Sequence, residues 1–317
     1  MKATKLVILL ALSVLVSTKA GAQYDPHFAH YFDMPTAFNA ASAGKNDQLN
    51  VVGVYNMSLA GFENSPKTAF IAGDMPFVAL KSIHGVGLQL MTDRIGLFNH
   101  QRITAQYALR KKLGGGWFSG GVLLGLLNEK FRGSEVVTAE DNDDVFPTSD
   151  VDGNALDLGF GLYYSHKGYA TEWYAGLSGT HLTSPKVSMG EKYELNVSAM
   201  FYATGGVTWQ LRNPTLRVAT SALLQSDGVT YRGDVTARMI YSYDKRVFYG
   251  GLTYSPTNSI TILAGANFHG IMLGYSFEAY TNGISLKNGS HELFIGYQTD
   301  IDLGKKGKNY HQTTRTL

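Results

Sequence analysis

The 317-residue chain carries 27 basic and 25 acidic residues, a net charge of +2, and so lacks the strongly basic stripe by which nucleic-acid-binding proteins hold phosphates. It has no cysteine, which excludes a lipoprotein anchor, disulfides and thiolate chemistry. Only 16% of residues are charged, while 36 glycines, 19 tyrosines and 16 phenylalanines give the profile of a membrane β-barrel with aromatic girdles and a crowded interior.

The first 22 residues predict a secretory signal peptide. Lys2 and Lys5 precede an apolar run from Leu6 to Val16, and Ala20-Gly21-Ala22 offers the small residues of a cleavage site, with a mature start at Gln23. The apolar run is about half of the ~20 residues a spanning helix needs, and no later stretch qualifies as one. Residues 23-47 follow, too aromatic for a mere leader and too irregular for a strand. Asp25-Pro26, Pro35, Asn39 and Gly44 are turn-type residues set among Tyr24, Phe28, Tyr31, Phe32 and Phe38. A segment so built is expected to be ordered, as a periplasmic surface or a lumen plug. Its aromatics would pack under or inside a barrel mouth, and its polar turns would face the periplasm.

From residue 48 to 304 a period of two dominates. In Asn154 to Ser165, Leu156, Leu158, Phe160, Leu162 and Tyr164 share one face, and Ala155, Asp157, Gly159, Gly161 and Tyr163 the other. Ile103, Ala105, Tyr107 and Leu109 alternate with Arg102, Thr104, Gln106 and Arg110, and Val235 to Tyr243 alternate with Asp234, Thr236, Arg238 and Ser242. About ten alternating residues per segment, with turn residues between, is the signature of a transmembrane barrel. A soluble sandwich would not set charges opposite a continuous apolar band in strand after strand.

Fourteen strands are predicted, near 49-58, 66-75, 83-93, 97-112, 116-131, 154-165, 169-183, 199-212, 214-226, 229-243, 246-256, 259-268, 270-280 and 290-301. One strand missed or doubled would give twelve or sixteen. The longer connections, 132-153, 184-198 and 281-289, follow odd-numbered strands, and short turns such as Gly114-Gly115, Asp244-Lys245 and His269-Gly270 follow even ones. That parity places both termini on the short-turn, periplasmic side and loop 132-153 outside. The tail 305-317 is basic and polar and reads as a solvated end.

Candidate lumen charges are Asp93, Arg102, Arg110, Asp157, Arg212, Asp234, Arg238 and Glu278. Facing water they would line a pore; paired across the lumen they would plug it, and their mixed signs favour the filled state. A barrel of this size is wide enough for either. Catalysis has weak support: Ser178 with His181, and Ser290 with His291, lack a nucleophile elbow and a third orienting residue, and no enzyme is expected. Metal chemistry is no stronger. The acidic stretch Glu140 to Asp157 fails the ligand register of a calcium loop, and His27 with His30 lacks further zinc ligands, so no cofactor or metal is expected.

Several of these motifs together resemble one family. The run Q-Y-D-P-H-F-A-H-Y-F-D-M-P-T-A-F-N-A-A-S-A-G, Gln23 to Gly44, is similar to the opening of the PorP/SprF outer-membrane proteins of Bacteroidetes. Ser65-Pro66-Lys67-Thr68 resembles that family's proline turn before the second strand, Gly85-Val86-Gly87 its G-x-G third strand, and Ser290-His291-Glu292-Leu293 its S-H-E entry to the last. The chain departs at Ala40, where the family usually has proline, and at Val54-Tyr55-Asn56-Met57, where it has an Arg-Gln-Trp region. The resemblance implies an outer-membrane component of the type IX secretion system. Its implied partners are periplasmic or lipoprotein ring subunits, a C-terminal-signal substrate or gliding adhesin, and outer-membrane lipids. A diffusion or fatty-acid-type channel is the alternative.

Overall fold

A computed structural model describes residues 25–136, 147, 149–190, 193–256, 258–281, 283 and 286–303. Among these the chain forms sixteen strands: β1 Gln48–Met57, β2 Lys67–Ala79, β3 Ser82–Ile95, β4 Phe98–Leu113, β5 Gly116–Phe131, β6 Val151–Lys167, β7 Thr171–Thr180, β8 Lys186–Met189, β9 Tyr193–Asn196, β10 Met200–Gln210, β11 Leu216–Ser226, β12 Tyr231–Tyr243, β13 Arg246–Ser255, β14 Ser259–Phe268, β15 Ile271–Tyr280 and β16 Ser290–Asp300. Fourteen close into one antiparallel barrel in the order β1-β16-β15-β14-β13-β12-β11-β10-β7-β6-β5-β4-β3-β2, while β8 and β9 form a separate hairpin. The closing seam pairs Gln48 with Asp300 and Met57 with His291. Closure leaves no strand edge unpaired, which a bilayer demands because it offers no water to satisfy one.

The period-two pattern maps onto the two faces as the sequence implies. Leu88, Ile103, Leu124, Leu156, Leu177, Val235, Leu252 and Ile262 all project outward, each about half exposed or more, and Arg102, Thr104, Gln106 and Arg110 point inward and are buried. An exposed apolar band of this extent would drive aggregation in water; against acyl chains it is solvated. Among the described residues no helix is long and apolar enough to cross a membrane.

The connections 58–66, 132–150, 181–199 and 281–289 gather at one end, and 80–81, 114–115, 168–170, 211–215, 244–245 and 269–270 at the other. Three short connections, 96–97, 227–230 and 256–258, also sit at the long-loop end, so the parity is a tendency of the longest loops. The stretch expected as a plain loop at 184-198 holds the β8–β9 hairpin. Its four-residue strands are too short for their alternation to stand out in sequence, and tertiary packing fixes them. Val187 and Met189 are buried against the inward-facing Leu127 and Phe131 of β5. A Cβ on Gly153 of β6 would lie 2.2 Å from the Ser188 carbonyl oxygen, so the hairpin lies directly on the inner wall at the long-loop end.

Replacing a lipid-facing leucine should test the assignment of faces. Leu124→Arg, near the middle of β5, should cost about 2–4 kcal/mol of stability in lipid vesicles. Denaturant unfolding followed by the loss of the heat-modifiable folded band on gels measures it.

Candidate functional site in the barrel interior

The interior is occupied by the chain's own N-terminal segment. Residues 28–32, 34 and 36–44 are buried, and their contacts reach inward-facing side chains on strands around the barrel. The segment runs from the long-loop half, where Asp25 lies, to the short-turn end, where Lys45 and Asp47 lead into β1. It has almost no regular structure, only two 3-10 turns at Pro35–Ala37 and Ala40–Ser42. Pro35 starts the first. Asn39 caps the second, its Oδ1 accepting from the Ala41 N–H at 2.9 Å while its Nδ2 donates to the Leu162 carbonyl at 2.9 Å. Turn bonds such as Asp33 N–H to the His30 carbonyl satisfy part of its backbone, and the groups they leave over must find partners in the barrel wall.

Gln89 and Gln106 donate to the Thr36 carbonyl, and two buried carboxylates join segment and wall by several bonds each. Glu292, on the inward face of β16, accepts from the backbone N–H groups of Ala29 and His30 at 2.8 and 2.9 Å, from His30 Nδ1 at 2.7 Å and from Asn56 Nδ2 at 3.2 Å. Asp25 projects from the segment into the opposite wall. Arg102 Nη1 donates to it at 2.9 Å, the Tyr202 hydroxyl donates to its other oxygen, and His181 Nε2 lies 3.3 Å away. His181 is held in turn by Asp157, whose Oδ1 accepts from the His181 backbone N–H at 2.9 Å and whose Oδ2 lies 3.1 Å from Nδ1. Burial alone would raise the Asp25 carboxyl, but Arg102 and His181 hold it well below the usual carboxylate range. Burial alone would lower His181, but Asp25 and Asp157 push it up to about 9. Asp25 and His181 are therefore held in their charged forms beside Arg102.

The aromatics fill the rest. Phe28 packs on Phe70 and Phe38, and Phe38 on Tyr202. Phe32 lies under the Arg238 guanidinium, 3.4 Å from ring centroid to Cζ. Tyr31 bonds through its hydroxyl to Ser221 and Thr236 at 3.1 and 3.0 Å. Inward glycines admit the backbone. A Cβ on Gly85 would lie 2.0 Å from the Ala43 carbonyl oxygen, one on Gly121 2.4 Å from the Ala41 nitrogen and one on Gly161 2.1 Å from Asn39 Oδ1. Gly44 has φ +66° and fits against Pro76 while its N–H donates to Asp74 Oδ2 at 2.7 Å.

Of the candidate lumen charges, Asp93, Arg102, Arg110, Asp157, Asp234 and Glu278 are buried inside, and Arg238 is partly so. Asp93 accepts from Thr68, Asp234 and Glu278 share Arg232, and Arg110 donates to the carbonyls of Gly44 and Lys45 and to Asp47. Arg212 is the exception. β10 ends at Gln210, and Arg212 lies exposed in the turn where Asn213 closes a side-chain-to-backbone turn on Thr215. The segment's polar turn residues also face the barrel wall and not the short-turn opening, because their backbone partners lie there. Tyr24 lies outside the described residues, as does most of the acidic stretch from 140; Asp152 and Asp157 fall within β6. Ser178 donates to the Phe38 carbonyl and does not pair with His181, and Ser290 lies buried while His291 turns to Tyr275.

Sequence reasoning missed Glu292, Asp74, Tyr202 and Arg232 as interior groups. Each stands at an inward position of its strand, so the alternation already carried the signal.

The fold and its interior define an outer-membrane β-barrel whose lumen is packed. The chain belongs to the type IX secretion system membrane protein PorP/SprF family, whose model matches residues 20–297. No curated protein matches it. Among solved structures it is similar to a Pseudomonas aeruginosa FadL homologue, at 9% identity over 80% of this chain and 89% of that one with a TM-score of 0.48. It is also similar to the Ralstonia pickettii toluene transporter TbuX, at 12% identity over 89% and 96% with a TM-score of 0.49.

His181 gives the site a pH signature. Its pKa is raised above the unfolded value of about 6.5, so its contribution to stability is complete below that pH and is lost as pH rises through about 9. The thermal midpoint of the purified barrel should fall between pH 7 and 10, and His181→Gln should flatten that part of the curve.

Proposed function

We propose that this barrel serves the type IX secretion machine as a docking and supporting component and not as a diffusion channel. The observation that carries this reading is the interior. Asp25 and Glu292 fasten the N-terminal segment to opposite walls, and an interior cavity bordered by Asp33, Lys45, Asn50 and Asp74 has about 100 Å3, room for a few waters. A path for fatty acids or other solutes needs a continuous lumen, which a segment acting as a plug denies. In this reading the short-turn end faces the periplasm and meets ring or lipoprotein subunits, and the long loops present the barrel to secreted C-terminal-signal proteins or gliding adhesins. Chemistry is not part of the role.

Single-channel recording separates the two functions. The purified protein should pass little current, and Asp25→Ala with Glu292→Ala, which removes the buried carboxylate partner of Arg102 and those of the Ala29 and His30 N–H groups at about 3–5 kcal/mol for each broken pair, should raise conductance by loosening the segment. A large steady current from the unaltered protein would establish the channel. Serine at Phe28, Tyr31, Phe32 and Phe38 should leave the barrel inserted and heat-modifiable yet abolish secretion of C-terminal-signal cargo; normal secretion would reduce the segment to a spacer.

Orientation has its own test. An epitope inserted near Asp143 should be reached by antibody on intact cells, and a tag after Leu317 should not. The reverse pattern would overturn the topology.

A further inference from the structure

The two ends of the barrel differ. At the long-loop end the β8–β9 hairpin and the Asp25 cluster fill the inner wall. At the short-turn end a recess of about 530 Å3 opens between the ends of β2, β3, β4 and β5. Its wall combines Val78, Ile83 and Trp117 with Lys81, Arg110 and Lys112. Val78 shares the face of Phe70, Ala72 and Asp74, Lys112 that of Arg102 through Arg110, and Trp117 that of Ser119 and Leu123, so these three lie on the inward side of the barrel, while Lys111 borders the recess from the outward face. Arg110 and Lys112 flank the Trp117 ring, 5.1 and 5.4 Å from its centroid. Arg110 is already engaged by Asp47 and by the carbonyls of Gly44 and Lys45. Lys81, Lys111 and Lys112 form no salt bridge with any described carboxylate.

Charge around the rest of this end is mixed in sign. Arg212, Lys245 and Arg246 are exposed elsewhere on the same end beside the exposed carboxylates of Asp244 and Asp300, and Glu172 is paired with Lys167, so the cations unopposed by a neighbouring carboxylate are those of the recess. Unpaired cations around an aromatic and apolar floor are complementary to carboxylates that alternate with aromatic or apolar side chains. From this we infer that the recess is the docking site for an acidic, aromatic-containing peptide segment of a periplasmic partner. The inference rests on the docking role proposed above and gives that role a site and a chemistry. The chain's own continuation is no match, since Lys305, Lys306, Lys308 and Arg315 carry the same sign. The inward aspect of Val78, Lys112 and Trp117 turns them away from the bilayer, which disfavours a lipid headgroup.

The test uses the full-length protein in detergent and a fluorescein-labelled peptide of alternating glutamate and phenylalanine, with a lysine and phenylalanine peptide as control. Anisotropy should report binding of the acidic peptide alone, weakened by added salt. Lys81→Glu with Lys112→Glu should weaken it about tenfold or more. These side chains hold no part of the N-terminal segment, and an unchanged heat-modified band verifies the fold. Trp117→Leu should weaken binding while leaving its salt dependence. Equal binding by the charge-reversed protein, equal binding of the control peptide, or displacement of the peptide by phosphatidylglycerol in mixed micelles would overturn the inference. Co-purification from cells separates it from the reading beneath it. If secretion subunits accompany the charge-reversed protein at the unaltered protein's level, this recess is not their site and the docking role stands. If the peptide binds as described but no subunits accompany even the unaltered protein, the docking role fails while the recess keeps its acidic-peptide specificity.

Discussion

The structure depends on the burial of carboxylates beside a polypeptide that cannot satisfy itself. Inside a barrel, Glu292 or Asp25 alone would carry a desolvation cost of several kcal/mol, and so would the unpaired N–H groups of an irregular chain. Each removes the other's cost. Glu292 takes two consecutive backbone N–H groups and an imidazole at once, a geometry that only a turn such as that at Ala29 and His30 presents. Asp25 does the converse, carrying a charge from the segment to Arg102 and His181 in the wall. Barrel and segment are therefore one folding unit, and displacing the segment would strand charges on both.

The glycines follow from the same constraint. A segment without side-chain bulk at Ala40, Ala41 and Ala43 can approach the wall closely only where the wall also lacks Cβ atoms, and Gly85, Gly121 and Gly161 provide that lane. Backbone then lies on backbone, and Asn39 can donate to the Leu162 carbonyl although that carbonyl belongs to a strand. The larger aromatics lie where the wall carries Phe70, Tyr202 and Tyr249. Small against small and large against large fixes the height of the segment in the barrel.

Legibility from sequence divides along the same line. The barrel was readable because its alternation is local: Leu156 and Asp157 declare their faces by adjacency, and fourteen strands emerge with it. Seven of the eight candidate charges lie inside where parity set them, and Arg212 does not because the strand it was assigned to stops at Gln210. Pairing was not readable, since Asp25 and Arg102 are joined only by the fold. The path of the segment was equally hidden. Its turn residues suggested polar groups facing the periplasm, whereas inward side chains such as Gln89, Gln106, Ser178 and Arg110 offer donors around the barrel wall. Inward glycines looked like composition, because a lane across several strands has no period along any one of them.

A packed barrel with distinct ends has a mechanical consequence. An open β-barrel can ovalise, since only its ladder hydrogen bonds resist bending across the lumen. Here Phe32 under Arg238, Tyr31 on Ser221 and Thr236, Phe28 on Phe70 and Asn39 on Leu162 tie opposite walls through one central strut. A load applied to one end is then shared by the wall as a whole, since the contacts that would have to slip are buried, interdigitated and charged. Such a body is poorly suited to passing solutes. It is well suited to holding its two ends at a fixed separation across a membrane, which is what the docking role proposed above would ask of it.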